Sequence, residues 1–214
     1  VRFDMPGCGR SPRPGRFDLE AIADETAAAI AAEIGQSRQP AQSLTLIGNC
    51  SGALFALLAG RDLGGRGLDR RVERIVLVDP FAFLPAYFRI FTAPVWGRYA
   101  YGVTFANPIG RWITNAGLAR RRSGGTNLTS FFERTDHEAN RMYMEMFART
   151  DSPGGASGGS RAVLEGLRGW SVPMDIAYGS NTFGAVKRSI PIWRDVFPQA
   201  RVSEVPGAGH LPIR

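Results

Sequence analysis

The spacing of apolar residues divides the N-terminal part of the chain into helices and short strands. Between residues 18 and 35, apolar side chains recur at positions 19, 22, 23, 27, 30, 31 and 34, which is the periodicity of an amphipathic helix. Asp18 is suited to cap its first turn and Gly35 to end it. An apolar stretch at 43–48 predicts a strand, residues 51–63 predict a second helix, and the β-branched run at 72–80 predicts another strand.

The same alternation returns towards the C-terminus. Its pattern predicts a helix at 160–168, a strand at 172–178, a helix at 184–196 and a strand at 200–205. Residues 1–5 are typical of the end of a further buried strand. Short apolar strands that alternate with helices favour a parallel sheet. We therefore predict an α/β fold, a mostly parallel sheet with helices on both faces.

Residues 81–150 interrupt this alternation. They contain 14 of the aromatic residues of the chain, and nine arginines against four acidic residues, in helical pieces separated by Pro and Gly. We interpret them as an inserted helical cap, followed by a Gly- and Ser-rich return linker. The predicted domains are an N-terminal part of the core at 1–80, the cap at 81–150 and a C-terminal part of the core at 151–214.

Composition limits the cellular compartment, the cofactors and the binding partners that we expect for this chain. The 214 residues are 44% hydrophobic with a net charge of +7, and Lys187 is the one lysine among 26 basic residues. An arginine bias without a nucleic-acid-binding motif favours no nucleic-acid partner. Cys8 and Cys50 provide neither a disulfide framework nor a zinc site, so we expect a reduced, cytoplasmic protein with no metal and no cofactor. No transmembrane segment or signal peptide is predicted.

Residues 48–52, Gly-Asn-Cys-Ser-Gly, lie between a predicted strand and a predicted helix. A nucleophile at the apex of a sharp strand-to-helix turn has a strained backbone, and small residues two positions before and after it prevent clashes. This spacing places Cys50 at the apex and makes Gly48 and Gly52 the flanking elbow residues. The helix N-terminus favours a thiolate, and the backbone amide of Ser51 is the predicted oxyanion donor.

Together with two further segments, this turn resembles the α/β-hydrolase fold superfamily. Residues 4–11 (DMPGCGRS) resemble its D-x-P-G-x-G-x-S loop, in which we expect Cys8 to be structural, and residues 205–212 (VPGAGHLP) resemble its histidine loop. The resemblance implies an eight-stranded hydrolase fold with the cap inserted after the sixth strand. It also implies that this chain, which starts without Met, is a fragment lacking the first strands, with the second oxyanion donor upstream of Val1.

The resemblance makes His210 the general base for Cys50. In this family the acid usually follows the seventh strand, where this chain has Thr182, a residue that cannot carry a negative charge. The variant position, at the end of the sixth strand, offers Asp79. Two alternatives remain open: a triad with Asp79, or a Cys50–His210 dyad, because a thiolate needs less help from an acid than a serine does.

The aromatic and basic composition of the predicted cap allows three interpretations. It lines an apolar acyl pocket, as caps in this family do, or it packs internally between cap helices. A third interpretation, which we favour less, is docking on a lipid surface through Trp96, Tyr99 and Trp112, with residues 120–122 on headgroups. His137 is interpreted as a surface residue of the cap.

These features predict an enzyme that hydrolyses a small apolar ester or thioester through Cys50, His210 and Asp79. Cysteine elbows recur in relatives resembling dienelactone hydrolases and polyhydroxyalkanoate synthases, so acyl transfer on the same cysteine is an alternative. A non-catalytic ligand-binding member with a decayed triad is another, because Thr182 replaces the usual acid.

Overall fold

Four parallel strands form one sheet in the computed structural model, which describes residues 3–36, 43–68, 71–120, 136–150 and 160–210. Their order across the sheet follows the chain: β1 (Leu44–Asn49), β2 (Val72–Val78), β3 (Met174–Gly179) and β4 (Arg201–Val205). Every neighbouring pair is parallel. The carboxyl ends of all four strands therefore meet at one edge of the sheet, which confirms the predicted α/β class.

Helices connect and cover the strands. Their bounds in chain order are α1 (Leu19–Gln36), α2 (Gly52–Gly65), α3 (Gly97–Tyr101), α4 (Pro108–Arg120), α5 (His137–Thr150), α6 (Ser160–Glu165) and α7 (Gly184–Val196). A 3₁₀ segment at Ala86–Thr92 and a π-helical turn at Gly102–Ala106 flank α3. No helix among the described residues is long and apolar enough to cross a membrane.

The main core forms where the apolar helix faces meet the sheet. Ile22 of α1, Leu57 of α2, Ile75 of β2 and Trp193 of α7 are all fully buried within it. Burying a large apolar side chain of this kind contributes roughly 1.5–3 kcal/mol. This core fixes the strand ends that carry the candidate site.

The segment between β2 and β3 packs in two ways. Ala139, Tyr143 and Met146 of α5 belong to the main core, and the Tyr143 hydroxyl donates a hydrogen bond to the carbonyl of Pro6 (2.7 Å). A smaller cluster of Tyr101, Phe105 and Met144 joins α5 to the helical pieces before it. The described part of the segment is helical, and the domain boundaries at 80 and 150 stay a prediction.

The expected strand at residues 1–5 is wrong for the residues that the structure describes, because residues 3–5 adopt no strand conformation. Asp4 is bonded within its own loop: its carbonyl accepts from the Ser11 hydroxyl (2.8 Å) and its carboxylate from the Arg10 amide (3.3 Å). The Met5 carbonyl accepts from the Cys8 amide in the same loop. Local bonds of this kind replace the ladder that a strand needs.

Candidate active site

A polar residue follows the carboxyl end of each strand. Cys50 comes directly after β1 and Asp79 directly after β2, whereas Thr182 lies in the loop after β3 and His210 in the loop after β4. Backbone bonds continue the sheet at these ends, since the Cys50 amide donates to Val78 (2.9 Å) and the Asp79 amide to Ala177 (2.8 Å). In open α/β sheets, this edge is where ligands bind.

Cys50 occupies the strained apex that the sequence predicts. Its φ is +56°, in the left-handed region that residues other than glycine rarely adopt. A Cβ at Gly48 would lie 2.6 Å from the Cα of Ala53, so the turn requires glycine there. At Gly52, by contrast, a Cβ would meet no atom within 4 Å. The clash that we expected at Gly52 is therefore absent, because that position faces open space.

Ser51 lies between the apex and the first residue of α2. Its backbone is already helical (φ −64°, ψ −26°), and its side chain makes no capping hydrogen bond. Among the described residues, none accepts a hydrogen bond from its amide. An unengaged amide at a helix N-terminus is suited to receive an anion.

His210 is the centre of the site. Its Nδ1 lies 3.1 Å from Oδ2 of Asp79 and 3.3 Å from Oγ1 of Thr182, and Cys50 lies near enough to affect the pKa of its imidazole. Burial alone would lower the pKa of His210. The hydrogen bond to Asp79, the nearby Cys50 and the charges of those two groups outweigh burial and raise that pKa to about 9.

Asp79 is fully buried, and its φ of +48° is again left-handed. Besides the contact with His210, its Oδ1 accepts a hydrogen bond from the Gly179 amide (3.0 Å). A buried carboxylate requires such partners, because an unpaired charge inside a protein is strongly destabilising. The structure thus brings Cys50, His210 and Asp79 together, with Thr182 beside the same imidazole nitrogen.

The loop after β3 fixes the loop that carries His210, a role that sequence reasoning missed. Gly179 has no room for a side chain, because the carbonyls of Ala208 and Gly209 occupy the place of its Cβ. The Asn181 amide donates to the Ala208 carbonyl (2.8 Å), and the Gly207 amide donates to the Ser180 hydroxyl (2.7 Å). The sequence signal for this role is the Gly-Ser-Asn run at 179–181, where β3 ends and its loop begins.

Aromatic side chains surround the site, and sequence reasoning missed these too. The rings of Phe183 and Phe81 lie 4.7 Å and 5.7 Å from the imidazole of His210, measured between ring centroids. Burial raises the pKa of Tyr87 to about 12, with a further contribution from the charge of Cys50. Phe81 and Phe183 are each within two residues of a predicted site position, which is the signal that could have identified them.

Cys8 and His137 take part in other contacts. Both cysteines are free, so no Cys8–Cys50 disulfide masks the apex. Burial raises the pKa of the Cys8 thiol, and the charges of Asp136 and Asp4 raise it further. His137 begins α5, with its Nδ1 3.4 Å from the hydroxyl of Tyr101.

Comparisons with known proteins agree with this architecture. The sequence matches the model of the alpha/beta hydrolase family over residues 1–214. The chain belongs to this family. Structures similar to this hydrolase-family chain include Rv0554 from Mycobacterium tuberculosis, with 17% identity and a TM-score of 0.64 over 98% of this chain and 71% of that one.

Two further solved structures are similar to this family member. A thermophilic esterase from Thermogutta terrifontis has 19% identity and a TM-score of 0.61, covering 98% of this chain and 71% of that one. The enol-lactonase from Burkholderia xenovorans LB400 has the same identity and TM-score, covering 97% and 72%. No curated protein matches the sequence. At these identities, the likeness shows a shared fold.

Proposed function

We propose that this hydrolase-family member cleaves an apolar carboxylic ester or thioester with Cys50 as the nucleophile. The observation that supports this most is the series of contacts from the half-buried Cys50, at a strained strand-to-helix apex, through the buried His210 to the buried Asp79. A nucleophile, a base within reach and a group that orients the base are the parts that covalent catalysis needs.

The first half of the reaction transfers the acyl group to the enzyme. Nδ1 of His210 faces Asp79 and Thr182, so Nε2 is the nitrogen left to take the proton of Cys50. A His210 pKa of about 9 favours an imidazolium at neutral pH. The Sγ of Cys50 then forms a bond to the substrate carbonyl carbon, and the carbonyl π electrons move onto the oxygen, which the Ser51 amide stabilises.

The second half releases the acid. The tetrahedral intermediate collapses, the bond to the leaving alcohol or thiol breaks, and His210 gives its proton to that group. The resulting acyl thioester on Cys50 is attacked by water, whose proton passes to His210. Collapse of this second intermediate breaks the S–C bond, releases the carboxylic acid and returns the proton to Cys50. Asp79 orients His210 throughout.

Aromatic surroundings support an apolar acyl group as the substrate moiety. Phe81 and Phe183 flank the imidazole, and Tyr87 is close enough to Cys50 to respond to its charge. Phe81 and Tyr87 come from the segment at 81–150, which we propose acts as the cap of the site. The names of two structurally similar proteins, an esterase and an enol-lactonase, concern ester substrates of those proteins and agree with this class.

The test compares the reactivity of the Cys50 and Cys8 thiols, and the effects on turnover of replacing Cys50 and its neighbour Ser51. Iodoacetamide is expected to label Cys50 at neutral pH, while the thiol of Cys8, with its raised pKa, stays largely unlabelled. With a p-nitrophenyl ester as substrate, we expect Cys50→Ala to lower turnover by at least about 10³-fold. Cys8→Ala is the matched control. Ser51→Ala should change turnover by no more than about twofold, because the proposed oxyanion donor is a backbone group.

Two results would contradict the proposal. One is turnover by Cys50→Ala at the rate of the unchanged chain. The other is equal labelling of the two cysteines, which would mean that the site does not activate Cys50 and would favour a non-catalytic binding protein.

A further inference from the structure

The helical pieces between β2 and β3 expose an unusual group of large apolar side chains. Eight of them are 58–73% exposed, and we call six of these the aromatic face: Trp96, Tyr99, Val103, Ile109, Trp112 and Ile113. The other two, Ile90 and Val95, precede the face in the sequence. Single exposed apolar residues are normal on a protein surface, whereas a contiguous group marks an interaction site.

The first half of the aromatic face is a stripe along α3 and the π-helical turn. Trp96, Tyr99 and Val103 are three and four residues apart, so they lie on one side of the helical run. Tyr101 and Phe105, on the opposite side, are buried against Met144. This run is therefore apolar on both sides, although only one side is covered. A helix that is hydrophobic all round is typical of a protein core or a membrane environment.

The second half of the aromatic face is a stripe along α4. Ile109, Trp112 and Ile113 have the i, i+3, i+4 spacing of one helix face, and all three are exposed. The two stripes meet where Gly110 packs directly on the backbone carbonyl of Val103, too closely for any side chain at Gly110. The two helical pieces that carry the stripes are thus in direct contact.

The part of the chain that carries the aromatic face has charges of a single sign. Residues 81–120 contain four arginines and no aspartate, glutamate or lysine. Arg89 precedes the first stripe in the sequence, Arg98 lies between Trp96 and Tyr99, and both are exposed. An interface with a second copy would bring these arginines into a region without acidic partners, whereas an anionic surface complements them.

We propose that the aromatic face docks on a membrane containing anionic phospholipid. Trp and Tyr are the side chains enriched at the membrane–water interface, and arginines beside them are suited to contact lipid phosphates. Trp96, Tyr99 and Trp112, the residues that the least favoured interpretation of the cap placed at a lipid surface, are 73%, 69% and 70% exposed. Arg120–Arg122, the headgroup contacts expected from sequence, lie outside the side chains that the structure describes. Docking is independent of the proposed esterase chemistry, because it is measured without turnover.

The experiment measures co-sedimentation with vesicles of phosphatidylcholine mixed with phosphatidylglycerol, and with vesicles of phosphatidylcholine alone. We expect stronger binding to the mixed vesicles, weakened by salt. Arg98→Gln should lower the partition coefficient about fivefold, since a basic residue near an anionic membrane contributes about 1 kcal/mol. Arg201→Gln, which removes an exposed arginine of β4, is the matched control and should have no effect.

A second pair of variants tests how much the apolar side chains of the aromatic face contribute to vesicle binding. Ile109→Ala should lower partitioning about tenfold, as expected for partial burial of the deleted carbons in lipid. Its control is Ile47→Ala on β1, where the isoleucine is 63% exposed but outside the aromatic face. Tryptophan emission should shift to the blue on mixed vesicles, and Trp96→Phe with Trp112→Phe should abolish that shift while keeping an aromatic ring at each position.

Several outcomes would overturn the proposal. They are no partitioning of the folded chain, equal partitioning into both kinds of vesicle, and equal losses for Ile109→Ala and Ile47→Ala. A dimer that Ile109→Ala dissociates, without vesicle binding, would instead assign the aromatic face to a second copy. Circular dichroism of each variant shows that it is folded, so a loss of binding is attributable to the surface.

Discussion

Replacing Asp79 by asparagine tests whether this carboxylate serves His210. The change keeps the size of the side chain, and the Asn Oδ1 retains an acceptor for the Gly179 amide. It removes the charge, however, and directs an NH₂ group at Nδ1 of His210, 3.1 Å away in the unchanged chain. Two donors cannot share one bond, so the imidazole is driven to carry its proton on Nε2, where it can no longer accept one from Cys50.

The size of the effect follows from the His210 pKa. Partners raise this pKa from an ordinary 6.5 to about 9 despite burial. With about 1.4 kcal/mol for each pKa unit, the net rise corresponds to about 3 kcal/mol, so Asp79 and Cys50 together contribute at least that much, because they also offset burial. If Asp79 supplies about half, its loss lowers acylation by about tenfold. The wrong tautomer lowers it further, so we expect a total loss of about 10²–10³-fold in kcat for Asp79→Asn.

Thr182 allows a rescue experiment in the same assay. Its Oγ1 lies 3.3 Å from the same Nδ1, so Thr182→Asp in the Asp79→Asn background supplies a carboxylate from the neighbouring strand end. We expect p-nitrophenyl ester turnover to recover by at least about tenfold. Thr182→Asn in that background carries no charge and should not rescue. The reasoning is refuted if Asp79→Asn keeps near-normal kcat, or if the Asn and Asp substitutions at 182 rescue equally.

Two further predictions concern stability and use thermal melts. Gly48→Ala should destabilise the chain by about 1–3 kcal/mol, because the new Cβ would lie 2.6 Å from the Cα of Ala53. Gly52→Ala, in the first turn of α2, should be neutral or stabilise the chain by up to about 1 kcal/mol, because its Cβ would meet no atom within 4 Å. Equal melting temperatures for the two variants would contradict this difference. The raised pKa of His210 stabilises the fold fully below pH 6.5, and this stabilisation is lost as the pH rises through about 9. Cys50→Ala removes one of the groups that raise this pKa, so it should shift that loss to lower pH, and an unchanged midpoint would argue against the Cys50–His210 interaction.

The sequence predicted most of the elements that have a strong pattern of their own. The periodic helix at 18–35 is found as α1, and the helix at 184–196 matches α7 residue for residue. The failure at residues 3–5 has a physical cause, because a strand is stable only when a neighbour completes its hydrogen bonds. An apolar pattern cannot show whether that neighbour exists.

The helical insertion shows a different limit of sequence patterns. Apolar residues at 101 and 105 alternate with apolar residues at 99 and 103, so the periodicity does not identify the buried side. Tyr101 is 3% exposed and Tyr99 is 69% exposed, although both are tyrosines on the same short helix. The positions of Met144, brought in by α5, and of Phe91, which contacts both Tyr101 and Phe105, decide which side is covered.

Asp79 shows why a site can be guessed from sequence but not fixed by it. An Asp-Pro pair at a strand end is equally suited to a turn, and β2 is not the neighbour of β4, which precedes His210. The contact forms because β3 lies between them and ends at Gly179, whose amide binds the Asp79 carboxylate and whose missing side chain leaves room for the loop that carries His210. The identity of the acid therefore depends on strand order and register, and these are set by packing across the whole sheet. A glycine at the end of the intervening strand is a local feature of the sequence that favours this contact, because it lets the His210 loop approach the strand end closely.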